Sequence, residues 1–307
     1  MKSPPKSISP EPDNYRIRLL GLKSKREVHL RGGFKGKMKM FKKICVAAAL
    51  ATVINVGVAG DLVINGSTTV LPIVQKAAET FSKENPAITI SLSGGGSGNG
   101  MKALVDGLAT IAMSSRDIKE SETKLAQTKG VVPVRTAVAV DAIVPVVSNA
   151  NPIKNISMAN LKAVYEGKIK NWKELGGADA PIVVVSRDSS SGTFETWESL
   201  VMKKARVTPR ALLQTSNGTV VQTVAKNKNA IGYIGIGYVD GQTKPLTVDG
   251  KAASAQAAKD KTWPLSRELY FFTNGTPAGD AKVFVDWMID PAKGQKAVKE
   301  TGFVPLS

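Results

Sequence analysis

The stretch "DLVINGSTTVLPIVQKAAETFSKENPAITISLSGGGSGNG", residues 61–100, carries the first decision about the fold. Residues 61–64 read as a short strand and Gly66 as a turn. Val70, Ile73, Val74, Ala77, Ala78 and Phe81 then recur at helical spacing and fall on one face. Asn85-Pro86 ends that helix, because the residue before a proline is driven out of the helical region. "AITISLS" (87–93) reads as a second strand, and a glycine-rich turn leads into a second helix starting near Met101. Strand, helix, strand, helix predicts a parallel sheet with flanking helices.

Downstream, the apolar run "TAVAVDAIVPVVSN" (136–149) predicts a buried strand leaving that sheet. "MANLKAVYEG" (158–167) reads as a helix, and "PIVVVSRDSSSGTFETWESLVMKKA" (181–205) as strand, loop and helix. "AIGYIGIGYVDG" (230–241) is strand-rich, "RELYFFTN" (267–274) is a second strong strand, and "GDAKVFVDWMID" (279–290) is a helix. "DGKAASAQAAKDK" (249–261) reads as a solvated loop or helix. Two long apolar strands, one central and one late, suit an α/β chain of two lobes joined by crossover segments.

The formal net charge of the 307 residues is +17. Residues 1–59 hold 9 Lys and 4 Arg against 3 acids, a surplus of ten of those seventeen charges. Within that leader "KGKMKMFKK" (35–43) precedes the apolar "ICVAAALATVINVGVA" (44–59), and Gly57 and Ala59 stand before Gly60. This is the pattern of a secretory signal peptide over 38–59, with cleavage near Ala59 and export to the periplasm. The apolar run falls short of the roughly 20 residues of a spanning helix. Cys45 opens the run and is badly placed for lipid attachment. Residues 1–37, rich in Pro, Ser and Lys, read as a disordered tail or an over-long start. Cleavage would remove the single cysteine, Cys45, and the single histidine, His29. A mature chain without them has no disulfide, no Cys/His zinc site and no Ser-His or Cys-His nucleophile pair. No metal and no cofactor are expected.

Three loops lead into helices and share one chemistry. "GSTTVLP" (66–72) offers Ser67, Thr68 and Thr69 as capping hydroxyls. "SGGGSGNG" (93–100) lets backbone amides approach a ligand. It fails G-x-G-x-x-G in every register, lacks the Gly-Lys-Ser/Thr ending of a P-loop, and has Asn99 where G-x-S-x-G needs its last glycine. "RDSSSGTFE" (187–195) adds Arg187, whose planar guanidinium can grip two oxygens. Helix starts carry unpaired N–H donors and partial positive charge, so a tetrahedral oxyanion is their natural guest. Each loop alone also reads as an ordinary helix cap or turn.

The ordered set "GSTTVLPIVQKAAETF", "SGGGSGNGMKAL", "ATIAMSSRDIKESE", "VAVDAIVPVVS", "LKAVYEGKIKNWKELGG", "RDSSSGTFETWE" and "AIGYIG" resembles the periplasmic phosphate-binding proteins that feed ABC importers, over residues 61–307. The resemblance implies a two-lobed type II periplasmic-binding-protein fold, with lobe 1 over 60–137 plus 265–307 and lobe 2 over 138–264. It implies ligand contacts from Thr68, Thr69, Ser97, Ser115, Arg187, Ser191, Gly192 and Thr193, with Arg116 close by. Arg116 also reads as a surface or inter-lobe ion pair. Well-known enteric members of that family have an aspartate where this chain has Ser115, and that carboxylate accepts a proton of the bound phosphate. Asp141, Glu195 and Asp188 are the substitutes here, with a salt bridge that orients Arg187 as their other reading.

The expected function is capture of inorganic phosphate by an exported monomer that meets a membrane permease. Molybdate, tungstate or sulfate in the same fold is the alternative. A hydrolase using Ser189, Ser190 or Ser191 lacks a histidine base. Nucleic-acid binding would rest on charge that leaves with the leader, and no basic-aromatic cluster replaces it.

Overall fold

The computed structural model describes residues 61–306, so the expectations for 1–37 and for the signal peptide at 38–59 lie outside the described residues. In chain order the strands are β1 (Asp61–Gly66), β2 (Thr89–Gly94), β3 (Ile111–Ser114), β4 (Pro133–Ser148), β5 (Asn155–Ile156), β6 (Val183–Arg187), β7 (Leu212–Gln214), β8 (Ala230–Gly235), β9 (Thr243–Pro245), β10 (Thr247–Val248) and β11 (Ser266–Asn274). The helices are α1 (Leu71–Glu84), α2 (Ser97–Val105), α3 (Glu120–Thr128), α4 (Met158–Tyr165), α5 (Gly192–Trp197), α6 (Asn217–Lys226), α7 (Ala255–Lys259), α8 (Gly279–Ile289) and α9 (Gly294–Glu300). Among the described residues no helix is long and apolar enough to cross a membrane.

The main sheet runs β2-β1-β3-β11-β4-β8-β6-β7, with β9 also on β4. β1 pairs parallel with both β2 and β3, as strand-helix-strand units require. β11 enters antiparallel between β3 and β4. The sixteen residues of β4 change partners partway: β11 faces it up to Ala142, and β8 from Ile143 onward. The run at 136–149 is therefore shared by two sheet segments and does not simply leave the first.

Two apolar cores flank this changeover. One gathers Leu62, Ile64, Phe81, Phe271, Phe284 and Met288, with Phe81 edge-on to Phe284 at 4.9 Å between ring centroids. The other gathers Ile143, Val144, Trp172, Trp197, Tyr233 and Trp263. Trp197 stacks on Tyr233 at 4.1 Å. Such aromatic pairs add about 1 kcal/mol beyond the area they bury.

Helix α1 matches its periodicity: Ile73, Val74, Ala77 and Phe81 are buried, and Asn85 caps it. Helix α2 begins at Ser97, four residues before the expected start near Met101. Its glycines lower intrinsic helix propensity, but packing overrides that. A Cβ on Gly100 would lie 2.7 Å from the Asn65 carbonyl oxygen and from Gly66 Cα, so glycine is what lets α2 lie against β1.

Gly66 makes the bend at the end of β1, with φ of 137°, and a Cβ there would stand 2.2 Å from the Met113 carbonyl oxygen. Gly66→Ala is expected to cost about 2 kcal/mol or more of unfolding free energy. Urea unfolding at equilibrium checks this, and an unchanged midpoint would contradict it.

Candidate functional site

All three singled-out loops end at one buried place, where they are joined by β11 and α6, whose Arg267 and Asn217 the sequence did not flag. Ser67, after β1, accepts the Thr69 amide at 3.1 Å and the Val70 amide at 3.4 Å. Ser67 thus takes the amides of the turn ahead of α1, which spares the Thr68 and Thr69 hydroxyls for other partners. Ser97 opens α2, and its Oγ accepts the Ser115 amide at 3.1 Å. Ser97 Oγ and Ser115 Oγ stand 3.3 Å apart. Ser191 caps α5 by accepting the Phe194 amide at 3.2 Å.

Contacts across the loops bring them together. Thr69 Oγ1 lies 3.0 Å from Thr193 Oγ1. Arg187 Nη2 donates to Thr68 Oγ1 at 3.2 Å. Ser190 Oγ lies 3.0 Å from the Gly95 carbonyl oxygen, and the Gly98 amide donates to the Ser190 carbonyl at 3.0 Å. Gly192 sits where a Cβ would come within 2.4 Å of Ser97 Oγ and 2.7 Å of Ser115 Oγ. Thr68, Thr69, Ser97, Ser115, Arg187, Ser191, Gly192 and Thr193 are all buried.

Arg187 ends β6 with 1% exposure. Its Nε donates to the Gln214 carbonyl and its Nη2 to the Thr215 carbonyl, both at 3.0 Å. No carboxylate among the described residues forms a salt bridge with it, and Nη1 has no hydrogen-bond partner. Burial pushes the guanidinium below its ordinary pKa. The other reading of the acidic candidates, a salt bridge to Arg187, is not seen among the described residues, where each is engaged elsewhere. Asp188 accepts from the Ser190 amide at 2.8 Å and from its hydroxyl. Glu195 takes Arg116 Nε and, at 2.9 Å, Lys119 Nζ.

Asp141 faces Arg267 instead. The two are register partners on β4 and β11, and Arg267 reaches Asp141 Oδ2 through Nε at 2.9 Å and Nη2 at 2.7 Å. Asp141 Oδ1 accepts the Ile236 amide at 2.9 Å. Burial pushes the Asp141 carboxyl up, while Arg267 opposes this. Arg267 Nη2 also reaches Thr193 Oγ1 at 3.0 Å and Thr69 Oγ1 at 3.4 Å, and its Nη1 lacks a partner among the described residues.

Arg116 is buried, and its side-chain partners are carboxylates and the Asp117 carbonyl. It grips Glu122 with Nη1 at 2.7 Å and Nη2 at 2.6 Å, beside its bond to Glu195. Burial works against its charge, yet these two carboxylates hold it above its ordinary pKa. The structure therefore places Arg116 in an ion-pair network joining α3 to α5, the other reading of this residue. An open cleft of about 500 Å³ borders this network, lined by Lys119, Glu195, Ser199, Arg267 and Tyr270 among others.

Two residues were missed by sequence reasoning. Arg267 is a lone arginine at the head of an apolar strand, and only strand register reveals its partner. Asn217 opens α6, and its Nδ2 reaches Thr69 Oγ1 at 3.0 Å and Thr68 Oγ1 at 3.3 Å. Its signal was readable: "TSNGT" (215–219) is a fourth hydroxyl-rich helix start. Among the described residues no group of three or more His, Cys, Asp or Glu side chains could hold a metal. What the arrangement can do is bind an anion: two buried guanidinium groups against one carboxylate leave net positive charge among aligned donors.

Residues 52–292 match the family model described as a PBP superfamily domain. The chain is similar to the phosphate-binding protein PstS of Bacillus subtilis, 33% identical over 252 residues that cover 81% of each chain. It is 30% identical to PstS of Pseudomonas aeruginosa, over 81% of this chain and 84% of that one. Among solved structures it is similar to a phosphate-bound protein from Clostridium perfringens, described as a phosphate ABC transporter substrate-binding protein. That match has a TM-score of 0.76 and 32% identity, over 81% of this chain and 100% of that one. An ABC-type phosphate transport receptor from Vibrio cholerae matches with a TM-score of 0.66 and 32% identity, over 79% and 99%.

Gly192→Ala drives a methyl group into the Ser97 and Ser115 hydroxyls. It is expected to leave helical content unchanged while weakening oxyanion binding about tenfold or more. Circular dichroism with calorimetric titration checks both parts, and full affinity in the variant would show that the loops need not meet this closely.

Proposed function

The chain belongs to the PBP superfamily and, within it, to the phosphate-binding proteins, and on that premise we propose that it captures inorganic phosphate for delivery to an ABC importer. The observation that carries this reading is Arg187, a buried cation without a salt-bridge partner among the described residues, at the meeting point of hydroxyl-rich helix starts. A buried unpaired charge is costly, and a bound oxyanion removes that cost. Its oxygens would accept from Arg187 Nη1 and from the hydroxyls of Thr68, Ser97, Ser115, Ser191 and Thr193, with Gly192 allowing close approach. Arg267 would add the second positive charge, and Asp141 would set the balance of charge beside it.

The two apolar cores support a reading as two lobes, 60–137 with 265–307 and 138–264. Closure would bring Thr69 to Thr193 and Arg116 to Glu195, and burying the ion would supply the free energy that holds the closed form. Export through the leader at 38–59, action as a monomer and recognition by a membrane permease complete the proposal. Binding needs no catalytic step, and of the three serines it is the buried Ser191 that joins the cradle.

Ser115 favours testing other tetrahedral guests, because a hydroxyl can donate to sulfate where an aspartate would repel it. The experiment is calorimetric titration of ligand-stripped protein with phosphate, sulfate and molybdate. Tight phosphate binding with weak sulfate is expected, and Arg187→Ala should weaken phosphate by about 100-fold or more. Tighter binding of sulfate or molybdate than phosphate would overturn the choice of guest. Unchanged affinity in Arg187→Ala would overturn the site.

A further inference from the structure

Asn217 is fully buried, and its amide orientation is fixed by the fold. The Gly235 amide donates to Oδ1 at 3.2 Å, which only a carbonyl oxygen can accept, so Nδ2 must face the threonines as a donor. A hydroxyl has one proton and two lone pairs. The Arg267–Asp141 hydrogen bond runs through Nε, which leaves the two Nη2 hydrogens for Thr69 Oγ1 at 3.4 Å and Thr193 Oγ1 at 3.0 Å. Thr69 Oγ1, accepting from that guanidinium and from Asn217 Nδ2 at 3.0 Å, has both lone pairs occupied. Its contact with Thr193 Oγ1 at 3.0 Å can then only be a donation by Thr69. Thr193 Oγ1, taking that proton and Arg267 Nη2 at 3.0 Å, is saturated as an acceptor in turn. Its own proton is left for a ligand. The same accounting applies to Thr68 Oγ1, which accepts from Arg187 Nη2 at 3.2 Å and Asn217 Nδ2 at 3.3 Å.

We propose that Asn217 is a positioning residue that gives this hydroxyl chain one direction, Asn217 to Thr69 to Thr193, so that Thr193 and Thr68 can only donate to the bound anion. The inference rests on the phosphate reading above. Without the Asn217 donor, Thr69 regains a lone pair, the chain can reverse, and the Thr193 proton can turn inward. Preorganised donors bind better than donors that must reorient, because reorientation is paid at the moment of binding.

The test is a double-mutant cycle on the full chain, with phosphate affinity by calorimetry and thermal unfolding of the ligand-free proteins. Asn217→Ala is expected to weaken phosphate about tenfold or more. In a Thr69→Val background, where the chain has lost its middle link, the same substitution should cost about threefold or less. A merely structural role would instead give fold-losses that multiply, and that result overturns the proposal. Asn217→Ser, which keeps a short donor, enters the same cycle should the alanine variant fail to fold, with a smaller loss that again shrinks in Thr69→Val. If wild type binds no phosphate, the functional reading fails; if wild type binds and the losses multiply, only the role of Asn217 fails.

Discussion

A guanidinium removed from water needs a counter-charge, and among the described residues Arg187 bonds carbonyls and a hydroxyl but no carboxylate. Neutral acceptors orient the group without cancelling its charge. Much of the surrounding structure serves to hold it there: β6 ends at Arg187, its side chain lies under the Gln214 and Thr215 carbonyls, and Tyr233 OH contacts its amide at 3.3 Å. Tyr233 is itself fixed by stacking on Trp197, which belongs to the helix that Ser191 caps. The charge, the cap and one apolar core are thus parts of one packing unit.

The second guanidinium has a different balance. Arg267 has Asp141, and both sit on strands that run between the two cores. This pair places a satisfied charge beside an unsatisfied one, and Arg267 Nη2 extends it to the hydroxyls of Thr69 and Thr193. Glycines allow this crowding. Gly235 has Asp141 Oδ1 3.0 Å from where a Cβ would stand, and Gly192 has Ser97 Oγ at 2.4 Å.

How much was legible in the sequence follows from the range of each interaction. Helix α1 and strand β2 depend on neighbours in sequence, so periodicity found them. The start of α2 was misplaced because its glycines answer to β1, some thirty-five residues upstream. The partner of Asp141 depends on an antiparallel register 126 residues away, and composition holds no trace of it. Arg116 was read two ways, and its ion pairs with Glu122 and Glu195 depend on α3 and α5, which spacing around Arg116 does not reveal. Asn217 lay within reach of the same loop logic, in "TSNGT", but without an arginine to draw attention to it.

The most direct measurement of the central claim is a crystal structure of the protein with phosphate bound. The account predicts the anion among Thr68, Ser97, Arg187 and Thr193, with an oxygen accepting from Arg187 Nη1. Phosphate bound elsewhere, with Arg187 Nη1 joined to a protein group, would contradict it.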